Sequence, residues 1–452
     1  GYHLFNIACH ILAAVGVWRL ARVLLRGPRA GPAAALAGAV FLCHPLATQA
    51  VTYMCQRYSC LAVALAVWAL VAYCHARRAP PARAGGYLAG AVLLTVGAML
   101  CKEFVAALPL LALALEVLVF RDRQGEGRRL SPWLALVPLL LALLLVPLVY
   151  VVLTRDAGMA NGRGLLPDWS TGRVPRGVYL LTQWKVVLGT YFRLLLVPWG
   201  QTIDHGFTPA RGLLEPGVLL SGFVLTAILA GGVLLWRRAP VICFGVILVY
   251  LGLAPTSTIV PNTEFVAEQR VYFSLVGFAL LAGRVSLWLS RRWLWTVGTL
   301  YCLTLGGLTL ARNQVWQDEL GLWREAMQRS PGIPRPPCAV ADVLRRRGQH
   351  EAAVAYYRRA LAIAPGYRGA LAHLPLSLEA LGREREALEA YGGLLQRYPD
   401  FVPGLYNCGL LLLRLERPAR AREVTGQLLR HAPSHPGGLM NQARALEMGK
   451  RP

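Results

Sequence analysis

Along most of this chain polar residues are confined to short breaks between long apolar runs. The stretch from Trp133 to Leu153 carries no charge, and ~20 such residues are what a helix needs to cross ~30 Å of hydrocarbon. Ten mainly apolar stretches, this one among them, run near Leu4 to Leu25, Pro32 to Val51, Tyr58 to His75, Gly86 to Cys101, Phe104 to Phe120, Trp133 to Leu153, Leu213 to Trp236, Val241 to Val260, Tyr272 to Leu289 and Trp293 to Ala311. Lipid offers the backbone no hydrogen-bond partners, so each is expected to be a helix. The sequence predicts an all-α chain: a polytopic transmembrane bundle over 1–311 and a different domain over 312–452.

The pattern changes after Ala311. Prolines recur at Pro331, Pro365, Pro399 and Pro433, which is the 34-residue tetratricopeptide period. In register with them stand Ala353, Ala387 and Ala421, where helices need to approach closely, the aromatics Tyr357 and Tyr391, and the turn glycines Gly348 and Gly382. About three repeats follow a partial one. Pro375 and Thr425 depart from the pattern and predict kinked or looser helices. Such a solenoid is either a spacer or a concave surface for a protein partner.

Composition agrees with a membrane chain: 452 residues, 56% hydrophobic and only 15% charged, with a mean hydropathy of +0.46. The net charge of +24 does not point to nucleic acid, because the arginines sit in short loops and on repeat surfaces with no stripe of interleaved aromatics. Membrane lipids are the expected partners. Cys9, Cys43, Cys60, Cys74, Cys101, Cys243 and Cys302 lie in apolar spans without ligand spacing and read as small hydrophobes.

Charge also sets orientation, because cytoplasmic loops retain Lys and Arg. Alternate loops carry Arg26 and Arg29; Arg77, Arg78 and Arg83; Arg121, Arg123, Arg128 and Arg129; Arg237 and Arg238; Arg291 and Arg292. The intervening short loops carry Arg57, Lys102 and Arg270. The first set is read as cytoplasmic, which places Gly1 and the repeats outside. The long outer loop over 154–212 contains Tyr179 to Val197, interrupted by Gln183, Lys185 and Arg193, and reads as an interfacial helix.

Ionisable and amide groups at the outer ends of spans are costly and mark functional candidates. They fall in four clusters: His44, Gln49, Gln56 and Arg57; Lys102 and Glu103; Gln201, Asp204 and His205; and Glu264, Glu268, Gln269, Arg270 and Tyr272. Taken singly, each reads as a headgroup contact, a local ion pair or a helix-end hydrogen bond. Together they suit a lipid-phosphate-linked substrate. Guanidinium groups would hold the phosphate at headgroup level, and carboxylates would orient sugar hydroxyls or act as base.

The order HLFNIACHIL, HPLATQAVTYMCQR, KEFVAALPLL, YLLTQWKVVLGTYFRLLLVPWGQTIDHGF, AEQRVYFSLVGFALL and then Asn313 and Trp316 before 34-residue repeats resembles the transmembrane and tetratricopeptide-repeat-containing O-mannosyltransferases and their bacterial relatives. The resemblance implies a GT-C glycosyltransferase that takes sugar from a polyprenyl- or dolichyl-phosphate carrier to a protein on the periplasmic or lumenal side. It also implies that the key acid, expected to be Asp, lies in a first outer loop upstream of Gly1, so that the first helix and that loop are expected to precede this sequence. Gln49 stands where many members carry Glu, and Gln269 where many carry His.

On this reading Arg57, Lys102 and Arg270 hold the donor phosphate. Glu103, Asp204 and Glu268 are candidate acids, and His44, Gln49, Gln56, Gln183, His205 and Tyr272 line the substrate pocket. No residue cluster demands a metal, and a divalent cation is an option beside the lipid-linked sugar. The acceptor protein is expected on the repeat groove. Lysines occur only at Lys102, Lys185 and Lys450 among 47 basic residues, the composition of a GC-rich genome, which favours a bacterial inner membrane with periplasmic repeats over the endoplasmic reticulum. The rival reading is a non-catalytic, membrane-anchored scaffold that recruits envelope proteins. A transporter would need midplane charges and internal symmetry, and neither is present.

Overall fold

The computed structural model describes residues 1–120, 131–155, 175–259 and 265–449. Arg121, Arg123, Arg128 and Arg129, much of the long outer loop, Glu264 and Lys450 lie outside the described residues. Among the described residues the chain is helical, without strands, and it divides into a helix-bundle unit and a repeat unit.

The bundle contains α1 (Tyr2–Leu24), α2 (Ala30–Cys43), α3 (Ala47–Thr52), α4 (Arg57–Ala76), α5 (Pro81–Cys101), α6 (Leu108–Leu115), α7 (Pro132–Arg155), α8 (Arg176–Val186), α9 (Arg193–Leu196), α10 (Pro216–Leu234), α11 (Pro240–Ala254), α12 (Ser274–Ser286) and α13 (Arg291–Val315). Prolines open α5, α10 and α11, where the missing N–H would have no partner anyway. Among the described residues, seven helices are long and apolar enough to cross a membrane by length and composition, and α2, the start of α7 and α12 are shorter apolar helices. Large apolar side chains such as Leu93, Leu220, Phe223 and Leu303 face outward, a surface that a bilayer accommodates and water does not. The stretch from Tyr179 to Val197 forms α8, a π-type turn over Val187–Phe192 and α9, with Tyr179, Thr182, Gln183 and Val186 turned inward.

Small residues set the tightest packing. A Cβ on Gly277 of α12 would stand 2.6 Å from the Gly245 carbonyl oxygen of α11. Only glycine lets these backbones approach so closely.

One of the basic residues between spans has a structural role that the sequence did not disclose. Arg77 stands at the end of α4, but it is buried against Glu116, which also accepts the Tyr73 hydroxyl at 2.7 Å. An acid inside an apolar span needs a cation, and Arg77 is close enough to supply it.

The repeat unit contains α14 (Glu319–Arg329), then the pairs α15 (Arg335–Arg346) with α16 (His350–Ile363), α17 (Arg368–Ala380) with α18 (Glu384–Arg397), α19 (Val402–Arg414) with α20 (Pro418–His431), and finally α21 (Pro436–Met448). Ala353, Ala387, Ala421, Tyr357 and Tyr391 are fully buried. Pro375 does not break α17, which runs through it, and Thr425 satisfies its hydroxyl on the Ala421 carbonyl at 2.7 Å.

The turns within the pairs use left-handed residues: Gly348 (φ 75°), Gly382 (φ 70°) and, in the third, Glu416 (φ 54°). A side chain disfavours this conformation and glycine does not. Glu416→Gly is therefore expected to stabilise the repeats by about 0.5–1 kcal/mol. Thermal unfolding would check this, and a fall in midpoint would contradict it.

Burial alone would raise the pKa of Asp342. Hydrogen bonds from His373 (2.7 Å) and the Tyr357 hydroxyl (2.6 Å) outweigh it and hold the carboxyl below its ordinary 3.8. The resulting stabilisation is present above that value and disappears as pH falls through the lower, folded-state pKa. The repeats should lose stability below about pH 4, and Asp342→Asn should flatten that acid limb. An unchanged limb would remove Asp342 as its source.

Candidate functional site at one end of the bundle

Several helix ends meet where α1 and α4 begin and where α2, α5, α11 and α13 finish. Pro45 prevents α2 from continuing, so the chain leaves in an extended conformation at His44 and turns into the short α3. α3 packs against a 3₁₀ turn, Glu268–Val271, that leads into α12. This contact brings the His44 and Glu268 clusters together.

Glu268 is 2% exposed and Arg270 is 8% exposed. The Glu268 carboxylate accepts the Thr202 N–H at 2.8 Å and the Gln201 side-chain amide at 3.1 Å. Gln201 also donates to the Pro45 carbonyl at 3.1 Å, and Gln49 Oε1 accepts the Gln269 N–H at 3.1 Å. Arg270 and Gln183 both donate to the Phe265 carbonyl, at 3.3 Å and 2.9 Å. Tyr191, whose hydroxyl accepts the Ala267 N–H at 3.0 Å, lies beside Arg270. Four segments thus surround one buried acid and one buried cation.

Beside this cluster, α8, α10 and α11 enclose a mostly apolar cleft of about 300 Å³. Gln183, Trp184, Leu225, Tyr250 and Ser257 are among its walls. The Oε1 atoms of Gln183 and Gln269 and the hydroxyls of Thr48 and Ser257 are buried, without a hydrogen-bond partner among the described residues. Such groups are costly to leave unmatched unless a polar ligand meets them.

The other candidates are placed differently. Both ring nitrogens of His44 are used by the fold: Nδ1 accepts the Leu46 N–H at 3.2 Å and Nε2 donates to the Leu195 carbonyl at 3.1 Å. Arg57 opens α4 with its guanidinium over Tyr2 (4.7 Å) and Tyr58 (5.6 Å), and Gln56 accepts the Ser59 hydroxyl at 2.7 Å. Lys102 caps α5, Glu103 is exposed, and the next residue, Phe104, meets Phe273 at 6.3 Å beside the Glu268 turn. The Tyr272 hydroxyl hydrogen-bonds His10 at 2.7 Å. Asp204 and His205 group with the repeat unit. There the Asp204 carbonyl accepts the Ser330 hydroxyl at 2.9 Å, and its carboxylate lies 3.8 Å from Arg335.

His10, Asn6 and Tyr191 were not among the expected site residues. Asn6 and His10, four residues apart in an apolar helix, were a legible signal: both are buried, and Asn6 donates to the Val51 carbonyl at 2.9 Å.

Comparison with known proteins supports parts of this picture. A tetratricopeptide-repeat family model matches residues 376–400. A stretch of 128 residues, 28% of this chain, is 36% identical to the protein O-mannosyl-transferase Tmtc1 of Drosophila melanogaster, and the match spans 14% of that relative's length. The crystal structure of yeast Tom70 aligns over 91% of this chain and 95% of its own at 12% identity, with a TM-score of 0.28, a likeness too loose to carry an argument.

Proposed function

We propose that this protein is a glycosyltransferase that moves a sugar from a polyprenyl- or dolichyl-phosphate carrier to a protein acceptor on the periplasmic or lumenal face. The observation that carries this reading is the convergence of Gln49, Gln201, Glu268 and Arg270 at one bundle end, beside an apolar cleft that reaches Gln183. Arg270 would meet the donor phosphate, with Arg57 and Lys102 as further cations at the same end. Glu268, Gln183 and Gln269 would address sugar hydroxyls, and the isoprenoid chain would lie in the cleft. The attacking hydroxyl would displace the lipid phosphate from the anomeric carbon, with an acid outside this cluster taking its proton.

The partial similarity to an O-mannosyl-transferase supports the reaction class. The repeats would present the acceptor, in the periplasm if the GC-rich composition reflects a bacterial source and in the lumen otherwise. The test is mass spectrometry of exported proteins from cells with and without the gene. A hexose-sized adduct should disappear with the gene. Identical modification in both, alongside proteins that co-purify with the repeats, would favour the scaffold.

A further inference from the structure

The opposite end of the bundle holds the larger cavity, about 900 Å³. It forms where α1 ends, where α11 begins and where α12 ends, so it is a bundle-length away from Glu268. Arg26, Arg29, Arg238 and Arg284 line it, with Trp288, over an apolar floor that includes Leu24 and Val241. No carboxylate stands among its described lining residues. Arg29 is tied to the Leu289 carbonyl and Arg284 lies over the Trp288 ring at 5.8 Å, whereas Arg26 and Arg238 are exposed.

Positive charge at this end is expected of any membrane protein, but only as a bias spread over loops. Here the α1–α2 and α10–α11 connections and the last turn of α12, distant in sequence, bring four arginines to the wall of one concave space. Like charges brought together repel, and a phosphate group relieves that repulsion while accepting the paired donors of each guanidinium. We propose that this cavity is a binding site for a phosphate group carrying two negative charges. The ligand is either the headgroup of an anionic lipid, whose chains would meet the apolar floor, or a free phosphate. The proposal does not depend on the transferase reading.

The solubilised chain would be titrated with inorganic phosphate. In parallel, it would be placed in nanodiscs of phosphatidylcholine with or without phosphatidic acid, with the unfolding midpoint and lipid retention by native mass spectrometry as readouts. A saturable upward shift is expected, because a ligand that binds only the folded state stabilises it. R26Q/R238Q should weaken binding roughly tenfold or more. R83Q/R291Q, which removes two arginines from the same end but outside the cavity, should leave it unchanged. A response to phosphatidic acid alone identifies a lipid, and a response to inorganic phosphate identifies a soluble ligand. No saturable shift with either, or equal loss in both double variants, overturns the proposal.

Discussion

Arg270→Ala is expected to lower sugar transfer by ~10²–10³-fold while the protein still folds and inserts, since a preorganised cation facing a departing phosphate supplies stabilisation of about that size. The side chain is held in place before any ligand arrives, through the Phe265 carbonyl and its position beside Tyr191, so little reorganisation remains at the moment of reaction. Glu268→Gln should also be severe, for a different reason. Both carboxylate oxygens accept hydrogen bonds, from Gln201 and from the Thr202 N–H, and an amide would turn an N–H₂ toward one of those donors. Kinetics separates chemistry from support: loss in kcat with KM little changed marks an interaction made in the transition state. Turnover within a factor of about two of wild type in both variants would remove this pair from the site.

The second large effect is on stability. Glu116→Ala leaves Arg77 buried without its counter-charge, and breaking a buried pair in this way costs about 3–5 kcal/mol. Tyr73 would lose its acceptor as well. Replacing the pair together, R77M/E116L, should be far milder, because no uncompensated charge remains. Thermal unfolding in detergent would read both. Equal destabilisation by the single and double variants would show that packing, not charge, holds this site.

Most of the long apolar helices were legible because a helix in lipid demands an apolar run, although the run from Pro32 to Val51 is divided at His44 into α2 and α3. The repeats were legible because one period recurs at several offsets at once. The same periodicity located the turn glycines, with Glu416 taking the third position at a conformational cost. What the sequence withheld is pairing. Arg77 looked like any loop arginine, since its partner Glu116 lies 39 positions away. His44 looked like a substrate ligand, but the fold uses both its nitrogens. Asp204 stood beside Gln201 in one motif, yet the chain hands Gln201 to Glu268 and groups Asp204 with Ser330 and Arg335. Only tertiary contacts decide such divisions, and spacing along the chain carries no trace of them.

If the proposed function holds, the Arg270 cluster and its neighbouring cleft receive the lipid-linked sugar. Photo-crosslinking with a polyprenyl-phosphate hexose that carries a diazirine in its isoprenoid chain tests this directly. Labelled peptides should come from the cleft walls around Trp184, Leu225 and Tyr250, and labelling should fall sharply in Arg270→Ala. Labelling elsewhere that is indifferent to Arg270 would contradict the account.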